Sequence, residues 1–209
     1  MRLQPYGDRA LFVDLEIADE KGRAERTHGL ARALRERLPE ADVVVGCGTI
    51  VITEYPLRAD LARVVRETLG LSVPSASASR EHRVRVRYDG ADLAEVAERT
   101  GLTPREIAEV HAAGDYLVEL TGFLPGFAYL LGVDERLRLP RRATPRPRVR
   151  AGSVGVAGAH TGVYPFDSPG GWLLLGTALD FKPFDATRDP AIALAPGDRV
   201  RFEIAHVDA

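Results

Sequence analysis

The chain has 209 residues and a formal net charge of -2, with 45% hydrophobic and 28% charged residues. This is the composition of a soluble globular protein with one large or two small domains, and its near-neutral charge argues against binding nucleic acid by phosphate neutralisation. The single cysteine, Cys47, excludes an intramolecular disulfide. Because no long apolar run occurs, we expect neither secretion nor a membrane span, and a cytoplasmic location.

The first part of the chain alternates β patterns with amphipathic helical patterns. The predicted elements are a strand at 10–17, a helix at 20–38, either a strand pair or a bulged strand at 42–53, and a helix at 57–69. Helices on one face of a small sheet make an α+β domain, which we place at residues 1–77. Small polar residues at 71–80 are typical of a linker. Cys47 lies between two glycines and is expected to be a small buried hydrophobe rather than a nucleophile.

A strand and two capped helices are predicted next. Residues 82–88 alternate strictly between polar and apolar, which predicts a strand. Asp92 with Glu95 predicts a capping box for one helix, and Thr103 with Glu106 predicts a second. Two short helices could form a DNA-binding helix-turn-helix, but the second carries one arginine against two glutamates, a poor face for phosphates. We therefore expect this helical pair to cover the end of a barrel or sheet.

Short strands dominate the rest of the chain. Clear examples are 116–121, 172–176 and 199–204. An antiparallel β-barrel at residues 78–209 is the expected architecture, because closure removes exposed strand edges. His111 shares a helix face with Ile107 and is expected to be buried or half-buried, with contact to a ligand as the alternative.

Glycine and aromatic residues combine in the second half of the chain. Ten of the twenty glycines lie between Gly122 and Gly176, and glycine permits close approach of backbone or ligand. In T-G-F-L-P-G-F-A-Y-L-L, Phe123, Pro125 and Phe127 surround a fixed turn, where the rings can form one wall of a pocket. A structural turn packed by its own aromatics is the alternative.

Arginine is concentrated in R-R-A-T-P-R-P-R-V-R at 141–150. Guanidinium groups on a proline-stiffened segment are suited to bidentate capture of carboxylate or phosphate. Arg146 and Arg148 are the strongest candidates, because the prolines restrict their approach. The alternative is a solvated loop or a surface that contacts an acidic partner chain.

Three kinds of site lack support in the sequence. A-G-S-V-G at 151–155 differs from the nucleophile elbow G-x-S-x-G at its first position, and its surroundings predict β structure rather than a strand, turn and helix. No Walker motif G-x-x-x-x-G-K-S occurs, so the chain alone is not expected to bind ATP. The histidines are scattered without metal-ligand spacing, so no metal site is expected. They are His28, His82, His111, His160 and His206.

Several motifs together resemble one known family. They are Y-G-D-R-A-L-F-V at 6–13, G-F-L-P-G-F-A-Y-L at 122–130, T-P-R-P-R-V at 144–149, A-G-S-V-G-V-A-G at 151–158, T-G-V-Y-P at 161–165, S-P-G-G-W at 168–172 and P-G-D-R-V-R-F at 196–202. In this order and at these separations they resemble the family of the 5-oxoprolinase B component, also called allophanate hydrolase subunit 1 or Kip-type kinase inhibitor. The resemblance spans almost the whole chain.

The resemblance implies a small α+β N-terminal domain followed by a mainly-β, cyclophilin-like barrel domain. It implies a protein that is inactive alone and works with a homologous C component and with an A component that is a hydrolase. The implied reaction is the ATP-dependent opening of 5-oxoproline, a small carboxylate-bearing cyclic amide, to glutamate, with ATP used by the complex. The alternatives are a regulator that inhibits a sporulation-type sensor histidine kinase, and a member of an allophanate hydrolase or urea carboxylase-like system.

The same resemblance directs attention to the glycine-rich loops. Polarising a lactam carbonyl requires fixed donors, which backbone amides at 152–158 and the hydroxyls of Ser153, Thr161 and Tyr164 can supply. His160 is a further candidate for ligand contact. The family usually reads G-N-Q-T-G where Ala159 and His160 stand, and R-T-P where this chain has T-A-L from Thr177. These departures fall in the expected ligand-facing region.

Overall fold

The structure is a computed structural model of the chain and describes residues 1–53, 60–70 and 80–208. The chain divides into two compact units, Met1–Ser79 and Arg80–Ala209. The boundary predicted near residue 77 and most of the predicted linker lie outside the described residues. Within the described residues, no helix combines the length and the apolar character that crossing a bilayer requires.

The described part of the first unit contains a four-stranded sheet and two helices. Its elements are β1 (Arg2–Tyr6), β2 (Ala10–Asp14), α1 (Glu20–Arg37), β3 (Asp42–Val45), β4 (Thr49–Thr53) and α2 (Leu61–Gly70). The antiparallel sheet has the order β1-β2-β4-β3. Alternate residues of the inner strands, such as Val13, Ile50 and Ile52, are buried with Leu30 and Leu34 of α1, because side chains alternate between the two faces of a strand.

Most predictions for the described part of this unit are confirmed, and one is wrong. The strand pair around G-C-G is confirmed, since β3 and β4 pair in antiparallel register. The predicted helix is confirmed as α1, which begins after Asp19, whose carboxylate accepts a hydrogen bond from the Gly22 amide. The prediction of a buried cysteine is wrong: Cys47 lies in the turn between β3 and β4 and is exposed. Part of the helix predicted at 57–69 lies outside the described residues.

The second unit is built around a closed barrel. Its elements are β5 (Glu81–Tyr88), α3 (Leu93–Thr100), α4 (Pro104–Ala112), β6 (Tyr116–Thr121), β7 (Ala128–Leu131), a short 3-10 helix (Glu135–Leu137), β8 (Arg146–Val149), β9 (Ser153–Ala157), β10 (His160–Val163), β11 (Ser168–Gly170), β12 (Leu173–Leu179) and β13 (Arg199–Val207). Within the described residues, seven strands close the barrel in the order β10-β7-β6-β13-β5-β12-β9, while β8 pairs with β11. The predicted barrel is thus confirmed.

One pair of barrel strands departs from the antiparallel prediction. Strand β13 pairs with β5 in parallel register. Parallel neighbours need a long crossover connection, which the remainder of the barrel unit supplies, because β5 and β13 are its first and last strands. On β5, Val84 and Val86 are buried and Arg83, Arg85 and Arg87 are exposed, as the alternation predicted.

The two helices of this unit begin in different ways. The predicted capping box of α4 is confirmed: Thr103 and Glu106 exchange hydrogen bonds between side chain and backbone. The capping box predicted for α3 is wrong, since Asp92 makes no side-chain cap bond. Its buried carboxylate instead accepts a hydrogen bond from the Leu174 amide of β12, at 2.7 Å, and ion pairs from two arginines. An arginine brings a full opposite charge to the buried carboxylate, which a backbone amide at a helix start does not.

Candidate functional site

Strand β10 separates the candidate residues into two groups. Successive side chains of a strand project to opposite faces. Thr161 is completely buried in the barrel interior, whereas His160 belongs to the outer face, where its side chain is 20% exposed. These two neighbouring residues therefore contact different parts of the barrel, Thr161 the interior and His160 the outer face.

A chain of hydrogen bonds crosses the barrel interior. The Tyr88 hydroxyl lies 2.8 Å from Nδ1 of His111, Nε2 of His111 lies 2.9 Å from the Thr161 hydroxyl, and that hydroxyl donates to the Gly155 carbonyl at 2.9 Å. Since Thr161 donates its proton to Gly155, it accepts from Nε2–H, and Nδ1 accepts from Tyr88. Burial lowers the pKa of His111 to about 3, so its ring is neutral. His111 is buried, as expected, and the Thr161 hydroxyl is used in the core rather than at a ligand-facing surface.

On the outer face, a buried carboxylate meets a half-buried imidazole. Oε2 of Glu119, on β6, lies 2.6 Å from Nε2 of His160, and Glu119 is only 1% exposed. Tyr129 comes from β7, the strand between β6 and β10, and its ring is perpendicular to the His160 ring with centroids 5.9 Å apart. Sequence reasoning missed Glu119. The available signal was an acidic residue inside the apolar strand Y-L-V-E-L-T, at a point where the register between β6 and β7 shifts.

Four aromatic rings continue this face. The Phe127 centroid lies 5.1 Å from that of Tyr129 and 5.3 Å from those of Tyr164 and Trp172. We call Phe127, Tyr129, Tyr164 and Trp172 the aromatic cluster. The close packing of this cluster requires glycine at position 162, since a β-carbon there would lie only 3.3 Å from the rings of Phe127 and Trp172. Tyr129 and Trp172 remain half-buried, so the cluster presents flat apolar surface beside His160.

The predicted turn at Phe123 to Phe127 extends the aromatic cluster outward. Phe127 is 2% exposed, whereas Phe123 is 59% exposed and its ring packs 5.6 Å from that of Phe127. Pro125 is exposed at the tip. Gly126 has a φ of 83°, and a β-carbon there would lie 2.9 Å from the Pro183 carbonyl oxygen. The turn is therefore packed by Phe127, while Phe123 and Pro125 form its rim.

Both candidate arginines are paired with carboxylates of this chain. Arg146 and Arg142 share Asp92, which is 1% exposed, and this ion-paired group fixes the arginine-rich segment to the barrel. Arg148 contacts Asp167 at 2.7 Å through Nε, and its side chain is 74% exposed. The predicted role in capturing a ligand carboxylate stays a prediction, and Arg148 is the more accessible of the two.

The backbone donors expected at 152–158 are used within the fold. The amides of Gly152, Ser153 and Gly158 donate to the carbonyls of Tyr164, Arg150 and Leu139. These three amides are therefore engaged inside the fold, because the chain folds back and pairs them, and the oxyanion site expected in the glycine-rich loops stays a prediction. Ser153 is half-buried, and Tyr164 is 2% exposed. Burial raises the pKa of Tyr164, so its hydroxyl stays protonated.

Comparison with known proteins shows the family to which this chain belongs. Residues 1–194 match the family described as carboxyltransferase domain, subdomain C and D. Over 203 residues the chain is 39% identical to the B component of 5-oxoprolinase from Escherichia coli O157:H7, an alignment that covers 94% of this chain and 92% of that protein. The chain belongs to the family of the 5-oxoprolinase B component.

Solved structures share the fold. The crystal structure of TTHA0988 superposes with a TM-score of 0.83 and 40% identity, over 96% of this chain and 40% of that one. The chain thus spans less than half the length of TTHA0988. The urea carboxylase of Kluyveromyces lactis gives a TM-score of 0.72 at 16% identity, over 97% of this chain and 21% of that one. At such low identity the similarity concerns the fold alone.

Proposed function

We propose that this chain is a non-autonomous member of an ATP-dependent complex that opens 5-oxoproline to glutamate. The observation that carries the proposal is the 39% identity to the 5-oxoprolinase B component across 92% of that protein. The partners are a homologous C component and the hydrolase that forms the A component, and ATP is used by the complex rather than bound by this chain alone. In this account the first unit is an α+β domain and the barrel is of the cyclophilin-like type.

The outer face of the barrel supports a small cyclic amide as ligand. 5-Oxoproline is a nearly flat ring with an apolar face, and Tyr129 and Trp172 offer half-buried rings 5.6 Å apart against which it can pack. His160 lies beside Tyr129 and forms a hydrogen bond with Glu119.

The ligand carboxylate needs a cation, and the exposed ion pair of Arg148 is suited to provide it. Its partner Asp167 is held at the surface, where ion pairs are weak, so an incoming carboxylate can replace Asp167 at little cost. Arg146, in contrast, is committed to the buried Asp92. Losing Arg146 is therefore expected to disturb the fold, and losing Arg148 to weaken binding.

The test is a complex reconstituted from this chain with the A and C components encoded in the same genome. ATP-dependent glutamate formation from 5-oxoproline is expected only when all three are present. Arg148→Ala is expected to raise KM roughly tenfold with little change in kcat. The matched control is Arg105→Ala, which removes an equally exposed arginine ion pair on α4 and should leave KM unchanged. Full activity without this chain would refute the proposal.

A second candidate function is regulation of a sensor histidine kinase. It is favoured by the exposed aromatic rings of Phe123 and Phe166, which are 59% and 38% exposed and suited to contact another protein. The chain alone should then lower the autophosphorylation rate of the cognate kinase, and Phe123→Ser should abolish the effect. An unchanged rate at saturating chain concentration would exclude this function.

A further inference from the structure

We propose that Asp167 is an internal competitor for the ligand carboxylate, and that in the free chain it occupies the subsite to which Arg148 contributes. This inference rests on the proposed function and adds a second donor and a regulatory residue to the same site. The second donor is the backbone amide of Ala151. We call the Arg148 guanidinium and the Ala151 amide the carboxylate subsite. Asp167 must leave this subsite before a ligand carboxylate can enter it.

Both oxygens of the Asp167 carboxylate are held by donors of the subsite. Oδ2 accepts hydrogen bonds from Nε of Arg148, at 2.7 Å, and from Nη2 of the same guanidinium. Oδ1 accepts a hydrogen bond from the Ala151 amide at 2.8 Å. Guanidinium edges and backbone N–H groups form strong charge-assisted hydrogen bonds with any carboxylate, whether it belongs to the chain or to a ligand. The position of Asp167 therefore shows how a ligand carboxylate can be held here.

The Ala151 amide is presented by a turn that does not need Asp167. In this turn, at residues 150–153, the Ser153 amide donates to the Arg150 carbonyl at 3.2 Å. Gly152, the third residue, has a φ of 83°, which is typical of a type II turn and favours glycine. The hydrogen bond of the turn leaves the Ala151 N–H free to donate outward. The donor therefore stays in place when Asp167 moves away.

The local charge favours an anion at this position. Hydrogen bonds from the Ala151 amide and the Arg148 guanidinium lower the pKa of Asp167, and the positive charges of Arg148 and Arg150 act in the same direction. Asp167 is therefore ionised at neutral pH and competes as an anion. Arg150 and Ala151 are exposed, and the Arg148 side chain is 74% exposed, so a ligand from solution can reach the subsite.

The carboxylate subsite borders the aromatic cluster. Val149, the neighbour of Arg148, is buried in one apolar group with Phe127 and Tyr164, and Tyr129 and Trp172 pack against that group. The turn is joined to the same group, because its third residue donates its amide hydrogen to the Tyr164 carbonyl at 2.8 Å. The flat aromatic surface and the subsite are thus adjacent parts of the barrel unit. A ring packed on that surface can direct an attached carboxylate towards the subsite.

The structure also indicates how strongly Asp167 competes. When a ligand needs an empty subsite, its apparent Kd is the intrinsic Kd divided by the fraction of chains in which the subsite is empty. The side chains of Arg148 and Asp167 are 74% and 42% exposed, so water screens their ion pair and the pair opens readily. We expect Asp167 to raise the apparent Kd by roughly three- to tenfold. A ligand that also packs on the aromatic cluster can overcome a factor of this size.

The test is a nitrogen-15 NMR titration of the full chain with 5-oxoproline, observed at Nε of Arg148 and at the amide of Ala151. Both signals should shift and saturate together. The ligand control is 2-pyrrolidone, the same lactam without its carboxylate, which should leave both signals unchanged. Asp167→Asn keeps the size of the side chain and removes its charge, so the Kd for 5-oxoproline should fall by roughly three- to tenfold. Arg148→Ala should abolish the saturable shift at Ala151.

Glu109→Gln is the matched control variant. It removes the carboxylate of another exposed ion pair, in which Nε of Arg105 lies 3.0 Å from Oε1 of Glu109. The net charge of the chain changes by the same amount as in Asp167→Asn, so the Kd for 5-oxoproline should stay at the wild-type value. An equal fall in Kd for both variants would show that net charge causes the effect, and would overturn the competitor role of Asp167.

The remaining outcomes separate this inference from the proposed function. An Asp167→Asn chain that binds 5-oxoproline no more tightly than the wild type would overturn the competitor role, and no saturable shift in either chain would overturn the subsite itself. In the reconstituted complex, an unchanged KM for Asp167→Asn with full activity would overturn the competitor role and leave the function intact. An inactive complex, together with tighter binding by the Asp167→Asn chain, would overturn the function and leave the competitor role intact.

Discussion

Replacing Thr161 by valine tests the hydrogen-bond chain that crosses the barrel interior. The Thr161 hydroxyl is completely buried, accepts from His111 at 2.9 Å and donates to the Gly155 carbonyl at 2.9 Å. Valine has nearly the same shape but no polar atom, so Thr161→Val leaves the His111 N–H with no acceptor in a dry interior. Leaving such a buried group unpaired costs about 1–3 kcal/mol, and losing the second hydrogen bond about 1 kcal/mol more.

The expected loss in the free energy of unfolding is therefore about 2–4 kcal/mol. Urea denaturation followed by fluorescence measures it cleanly, since Trp172 is the only tryptophan and belongs to the barrel unit. The matched control is Thr177→Val, whose hydroxyl donates to the exposed Asp89 at 2.9 Å and should cost less than about 1 kcal/mol. If the loss for Thr161→Val is no larger than that of the control, the buried hydrogen-bond chain contributes no more to stability than an exposed hydrogen bond.

Three further predictions use the same fluorescence assay. The pKa of His111 is lowered to about 3 by burial, so the unfolded chain binds a proton that the folded chain excludes. Because of His111, the free energy of unfolding should therefore fall by about 1.4 kcal/mol for each pH unit below about 6.5, towards pH 3. A His111→Gln variant whose free energy of unfolding depends on pH as steeply as the wild type between pH 6.5 and 5 would contradict this. Asp92→Ala leaves two partly buried arginines without their shared carboxylate and should lower the free energy of unfolding by about 3 kcal/mol. A decrease below about 1 kcal/mol would show that the ion-paired group is not needed for stability. Gly176→Ala places a β-carbon 2.2 Å from the Arg87 carbonyl oxygen and should lower the free energy of unfolding by about 1–3 kcal/mol. An unchanged urea midpoint would be incompatible with so short a distance between the two strands.

Local patterns predicted those elements whose causes are local. Alternation in H-R-V-R-V-R-Y gives β5, because each polar residue of that strand faces outward. The hydroxyl, proline and carboxylate of T-P-R-E give the capping box of α4. The same rule failed at Asp92, where a carboxylate spaced for a cap is used by arginines fifty or more residues away. Local spacing cannot reveal a partner that only the closed barrel brings near.

The candidate site illustrates the same limit. The family motifs contain Phe127 and Tyr164, and the structure brings their rings into contact at 5.3 Å. They did not reveal that Thr161 belongs to the interior, which follows from strand alternation once β10 is placed. Glu119 joins His160 only because β6 and β10 lie on either side of β7. That neighbourhood is a property of barrel order, which depends on pairing between strands distant in sequence.

The function proposed for this chain is to complete an ATP-dependent complex that opens 5-oxoproline. The most direct measurement is the glutamate formed per ATP hydrolysed by the A and C components, with and without this chain. We expect 5-oxoproline-dependent glutamate to appear only when the chain is present, and its formation to be coupled to ATP hydrolysis. Equal glutamate formation in its absence, or none in its presence, would contradict the proposed function.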